Sequence, residues 1–227
     1  LLALFNGQKA AKIGFDIFCT IRKGRVLPQQ EQFLNDAMLT IETVMEQQIQ
    51  AYQWPGSKDT VLLLHGWESN THRWRNLIKK LQEADFNILA FDAPAHGNST
   101  GKKLHVPLYS HTLLHFLDKY EPRYLVGHSM GGMTALYADY INSDSSVEKI
   151  VTIGSPCDFE NFMHQYRNIL KFNKRVWNAM NKRLKIWLGY HFHEFSSANF
   201  VIKNTKKGLL FHDKLDQQVA YTESVKV

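Results

Sequence analysis

The stretch Tyr124-Leu-Val-Gly-His-Ser-Met-Gly-Gly-Met133 limits the fold more than any other part of the chain. A short apolar run meets Gly127, Ser129 follows two residues on, then come Gly131 and Gly132, and a helix-forming run begins at Met133. The order is strand, tight turn, helix, with Gly-x-Ser-x-Gly on the turn. A Cβ at position 127 or 131 is expected to collide with the neighbouring strand or helix, and the middle residue is driven into strained backbone angles. Ser129 is therefore expected to lift its hydroxyl clear of a sheet edge, at a helix N-terminus where free N–H groups favour a developing anion.

A strand that feeds a helix through a sharp turn needs a sheet around it, and the sequence supplies one. Residues 49–54 alternate like a half-exposed strand, and Pro55-Gly56 turns the chain. Residues 60–64 form a continuously apolar run, as expected of a strand covered on both faces. Residues 86–91, 123–126, 149–153 and 208–211 read as further strands. Helical patterns lie between them, including one with Trp74, Leu77, Ile78 and Leu81 on one face and another over residues 106–120. This alternation predicts an α/β fold with a doubly wound, mostly parallel sheet, in which ligands sit beyond the carboxyl ends of the strands. Upstream, residues 1 to about 45 read as helical, with Leu4, Phe5, Ile13, Ile17 and Phe18 on one stripe. A second stripe holds Phe33, Ala37, Ile41, Val44 and Met45.

Between residues 158 and 198 the alternation stops. Aromatic and aliphatic residues recur at helical spacing with Arg167, Lys171, Lys174, Arg175, Lys182, Arg183 and Lys185 between them. A helical insertion after a strand end is expected to lie over the site as a lid. The 227 residues, 44% apolar and 21% charged, suit one soluble domain. The formal charge of +6 is dispersed along amphipathic stretches, which points to a solvated surface and no nucleic-acid partner. No apolar run is long enough for a stable membrane insertion. Cys19 and Cys157 are too few for a disulfide framework, and residues 1–5 lack the basic start of a signal peptide, so a cytoplasmic location is expected.

Four pieces in this order resemble the α/β-hydrolase family, and its bacterial esterase-like and lipase-like members with a helical cap in particular. They are the strand entering His65-Gly66, the segment Asp92-Ala-Pro-Ala-His-Gly-Asn-Ser99, Gly127-His-Ser-Met-Gly131, and His212-Asp-Lys-Leu-Asp216-Gln-Gln-Val219. The resemblance runs from about residue 49 to residue 227 and implies one domain with a cap over residues 158–198. It implies that Ser129 is the nucleophile and that the backbone N–H groups of Trp67 and Met130 hold the oxyanion. It implies further that Asp216 orients the catalytic imidazole, with Asp158 and Asp213 as alternatives. Ala95 stands where many relatives have glycine. The family places a histidine after a last strand, whereas none of residues 217–227 is histidine and the final strand and helix have no counterpart. A further piece carrying the base is expected, and no catalytic histidine is named.

The resemblance implies a serine hydrolase that cleaves carboxylic esters of small or apolar substrates through an acyl-enzyme. A thioesterase, lactonase, amidase or perhydrolase would use the same site, and a binding protein could keep the fold without the chemistry. The partner expected is a small ester-like molecule, and a homodimer is compatible with the surface. No cofactor is expected, because the glycines around Ser129 lack dinucleotide spacing and no P-loop lysine follows. No metal is expected either: His111 and His115 lack a third ligand, and His191 and His193 flank Phe192 as a polar patch. His65, His96 and His128 are read as structural.

Overall fold

A computed structural model describes residues 7–227. The residues Leu4 and Phe5 that begin the first apolar stripe, and the rest of residues 1–5, lie outside the described residues. Seven strands form one sheet: β1 (Met38–Val44), β2 (Gln47–Trp54), β3 (Lys58–Leu64), β4 (Phe86–Phe91), β5 (Tyr124–His128), β6 (Lys149–Ile153) and β7 (Lys207–Phe211). Their order is β1-β2-β4-β3-β5-β6-β7. The run from β4 to β7 is parallel, and β1 and β2 add an antiparallel edge.

The helices are α1 (Gly7–Cys19), α2 (Pro28–Asn35), α3 (Arg75–Glu83), α4 (Val106–Tyr120), α5 (Met130–Ile141), α6 (Phe159–Leu170), α7 (Lys174–Leu188), α8 (Ser197–Val201) and α9 (Thr222–Val225). Side chains alternate across the central strands, so Leu62, Leu64, Leu89, Phe91 and Leu125 join α4, α5 and α8 in one core. Val61, Leu63, Ile88, Ala90 and Val126 join α2 and α3 in a second core on the opposite face. This is the doubly wound arrangement expected from the alternating strands and helices.

One expectation from the sequence is overturned. The second upstream stripe holds only the short helix α2, and from Met38 the chain is strand. Thr40, Ile41, Thr43 and Val44 are β-branched and resist helix, and β1 pairs with β2 in register from Met38↔Gln53 to Val44↔Gln47. The turn between them is Met45-Glu46, both left-handed with φ of 48° and 64°. Such a two-residue turn ordinarily carries Asn or Gly, so its usual sequence signal is missing.

A third apolar cluster lies apart from the sheet. Ala11, Phe15 and Cys19 of α1 pack with Met163 of α6, Val176, Met180 and Leu184 of α7, and Phe192. The helical segment after β6 thus shares its core with a helix from the start of the chain. Neighbouring Phe195 and Phe200 instead belong to the core under α5, which ties this layer down at one end.

Candidate active site

The carboxyl ends of β3, β4, β5, β6 and β7 converge on one cavity of about 1090 Å³. Its floor holds Trp67, His128, Ser129, Met130, Gly154 and Asp216. Its upper wall is apolar and comes from α1, α6 and α7, through Phe15, Phe18, Phe159, Phe162, Leu184 and Trp187.

Ser129 is the single residue between β5 and α5. It sits at φ 52° and ψ −123°, a conformation costly for any residue with a Cβ. Its N–H donates to the Ile153 carbonyl at 2.9 Å, and its carbonyl accepts from Gly132 N–H at 2.9 Å. The bend is therefore pinned from both sides. The backbone approaches so closely here that a Cβ on Gly127 would lie 2.5 Å from Gly131 and Gly132 backbone atoms. One on Gly131 would lie 2.3 Å from the Leu64 carbonyl oxygen. Among the described residues nothing hydrogen-bonds the Ser129 hydroxyl, and the amides of Met130 and Trp67 donate to nothing. Two free N–H groups, one of them at the positive end of α5, thus border the cavity beside Ser129.

The loop carrying the Trp67 amide is held by two buried histidines whose tautomers follow from their partners. Ala93 N–H donates to His65 Nε2 at 2.9 Å, so Nδ1 carries the proton and donates to the Gly66 carbonyl at 2.8 Å. Glu68 N–H donates to His96 Nε2 at 3.0 Å, and His96 Nδ1 donates to the Pro94 carbonyl at 2.9 Å. Both residues are structural, as expected. Burial pushes each ring down to about 4. The folded rings are neutral while unfolded rings have an ordinary value of 6.5, so their stability is complete above pH 6.5 and is lost as pH falls through about 4. Each buried ring can withdraw on the order of 3 kcal/mol at the acid limit. Urea midpoints measured in steps from pH 7 to pH 4 should fall steadily, and a flat profile would contradict the buried neutral rings.

His128 does not face Ser129's proton. Its Nε2 accepts from the Arg73 guanidinium, and its buried Nδ1 has no partner, lying against Gly66. Burial first, and Arg73 second, push His128 down to about 4. Asp216 lies in the cavity with its Oδ1 accepting from the N–H groups of Gln218 (2.8 Å) and Val219 (3.0 Å). The Val219 bond is the main cause holding its carboxyl below the usual range. Asp158 and Asp213 are placed differently, away from the cavity wall. Asp158 accepts from Ser196 and is paired with Lys226 at 2.6 Å, and exposed Asp213 accepts from Leu215 N–H. His212 stands 3.8 Å from Asp216, but its two ring nitrogens are engaged by Ser224 and the Val219 carbonyl. Elsewhere, His115 bonds Glu42, and the rings of His191 and His193 stack in parallel.

Three residues at or behind the site have roles that the sequence did not assign, although Asp92 opens one of the four segments that resemble the family. Asp92 is fully buried and accepts from Tyr52 O–H (2.7 Å), Thr71 N–H (2.9 Å) and Asn98 N–H (2.9 Å), fastening the β4 loop to its surroundings. Arg73 joins the cavity wall through a short helix, Thr71–Trp74. His105 caps α4 by accepting Leu108 N–H and turns its ring edge onto Trp187. Ala95, the departure from glycine, sits at φ 68° and so bears the strain a glycine would relieve.

Comparison with known proteins agrees with the fold. Residues 59–179 match a family described as alpha/beta hydrolase fold. A Mycoplasma pneumoniae protein provisionally named esterase/lipase 3 is 28% identical over 142 residues, covering 60% of this chain and 52% of that protein. Human monoacylglycerol lipase ABHD6 is 31% identical over 100 residues, covering 40% of this chain and 29% of that protein. The chain thus spans about half or less of the curated relatives it matches. Among solved structures, mouse alpha/beta hydrolase domain-containing protein 10 superposes with a TM-score of 0.63 at 18% identity, covering 84% of this chain and 83% of that one. An esterase from Exiguobacterium antarcticum gives 0.61 at 18%, covering 83% and 85%.

Proposed function

This chain belongs to the alpha/beta hydrolase fold family, and on that premise we propose that it is a serine hydrolase cleaving carboxylic esters of small or apolar substrates. The observation that carries the reading is Ser129 at φ 52°, its hydroxyl unengaged among the described residues beside two free amides. Ser129 Oγ attacks the ester carbonyl carbon, and its proton passes to an imidazole acting as base and from there to the departing alkoxide oxygen. The carbonyl oxygen becomes an anion held by the Met130 and Trp67 N–H groups, and the alcohol leaves when the tetrahedral species collapses. Water then attacks the acyl-enzyme, releases the acid and restores the serine. Asp216 is the carboxylate suited to orient an imidazole, because two backbone N–H groups already keep it ionised. We read α1, α6 and α7 together as the cap, whose apolar inner wall suits a hydrocarbon acyl or alcohol group. Relatives named esterase and lipase agree in reaction class.

A binding role on the same fold is favoured by a different observation: among the described residues no histidine nitrogen bonds the Ser129 hydroxyl. Labelling with a fluorophosphonate probe separates the two readings. A hydrolase should be modified at Ser129 alone, as read by peptide mass analysis, and an unmodified Ser129 would leave only the binding role.

A further inference from the structure

The formal charge of +6 is not spread over the folded molecule. Residues 159–188 carry seven Lys and Arg against a single acid, Glu160, so the remainder of the chain is balanced between the two signs. Helix α7 contains no acid at all. Within that segment Lys171, Lys174, Lys182 and Arg183 have no carboxylate partner among the described residues, whereas Lys185 is paired with Glu194.

The same face is also apolar. Buried Val176, Met180 and Leu184 fix the inner side of α7, Lys182 and Ile186 lie one turn apart on its outer side, exposed Arg183 flanks the buried stripe, and Trp187 stands at the cavity mouth one turn beyond Leu184. Ile186 is 76% exposed and Trp187 48% exposed. Helix α1 packs alongside α7, with Phe15 meeting Trp187 edge-on at 5.7 Å, and leaves Ile13 and Ile17 exposed. Trp187 and Ile17 both border the cavity that contains Ser129. Exposed apolar side chains therefore border the mouth of a cavity whose upper wall is apolar, with unpaired cations on the same helix.

We propose that this face, formed by α1 and α7, docks on an anionic lipid surface. Phosphate headgroups would neutralise Lys182 and Arg183, and Ile186, Ile17 and the amphipathic ring of Trp187 would enter the boundary between headgroup and acyl chain. A nucleic acid would satisfy the cations and leave the isoleucines wet, whereas a lipid surface accommodates both. No described helix is long and apolar enough to cross a membrane, so the contact is peripheral. The cavity mouth would then open toward the lipid.

Co-sedimentation of the full chain with vesicles tests this. Vesicles of phosphatidylglycerol and phosphatidylcholine should bind it, phosphatidylcholine alone should not, and 0.5 M salt should release it. The double variant Lys182→Gln, Arg183→Gln should bind about thirty-fold more weakly, at roughly a five-fold loss per cation. Ile186→Ser should also weaken binding, with an unchanged circular dichroism spectrum showing that the fold is kept. Equal binding to both vesicle types, or variants that bind as tightly as the parent, would overturn the proposal. So would binding to polyglutamate with no affinity for vesicles, which would assign the face to an acidic protein.

Discussion

Ser129→Ala should remove ester turnover, by up to about 10⁶-fold for a chain whose chemistry depends on a serine nucleophile, and leave the fold intact. The hydroxyl has no hydrogen-bond partner among the described residues, so deleting it strands no buried group. Stability should shift by less than about 0.5 kcal/mol, as for other substitutions that break no contact. Ser129→Gly should be equally inactive yet more stable, by about 1 kcal/mol, because glycine adopts φ 52° without the Cβ penalty. Together the pair separates chemistry from architecture. Turnover of p-nitrophenyl acetate, measured beside thermal melts of both variants, reads the two effects independently. Turnover retained by Ser129→Ala would dismiss Ser129 as nucleophile and leave the family assignment standing.

What the sequence disclosed and what it hid divide along physical lines. The central strands and α4 were legible because buried strands read as apolar runs and α4 as an amphipathic period, and both signals are local. The position of Ser129 was legible because close backbone approach demands glycine, and glycines are visible in a sequence. The β1–β2 turn was not, since Met45 and Glu46 hold left-handed angles without the residues that usually advertise them. The contribution of α1 to the cavity wall was also hidden. Ile13, Ile17 and Phe18 announce a helix, but not that its buried face is Ala11, Phe15 and Cys19, nor that its partner lies about 160 residues away in α7. Asp92 was visible as the start of a motif, but its role was not: its donors come from Tyr52, Thr71 and Asn98, and only the folded sheet brings them together.

Gly131→Ala should be among the most damaging single substitutions the chain can suffer, and Gly127→Ala should match it. The added methyl group at position 131 would stand 2.3 Å from the Leu64 carbonyl oxygen and 2.7 Å from that of His65. At position 127 it would stand 2.5 Å from three backbone atoms of the first turn of α5. Neither obstacle is a side chain that can rotate away, so α5 must separate from the end of β3 in the first case and from β5 in the second. Ordinary overpacking costs about 1–3 kcal/mol, and a clash with backbone on a central strand should reach about 4 kcal/mol or more, which in a domain of this size lowers the melting temperature by roughly 8–16 °C. Gly208→Ala on β7, where a Cβ meets nothing within 4 Å, is the control and should melt near the parent. The consequence extends past stability. The same approach of β3 to α5 sets the distance between the amides of Trp67 and Met130, on either side of Ser129, and a Cβ on Gly66 would already lie 3.1 Å from that of Ser129. A Gly131→Ala protein that still folds at low temperature should therefore have lost turnover, because one of the two amides proposed to hold the oxyanion has moved. If it melts within about 2 °C of the parent and keeps its turnover, the tight seam between β3 and α5 does not exist, and the arrangement of the two amides around Ser129 fails with it.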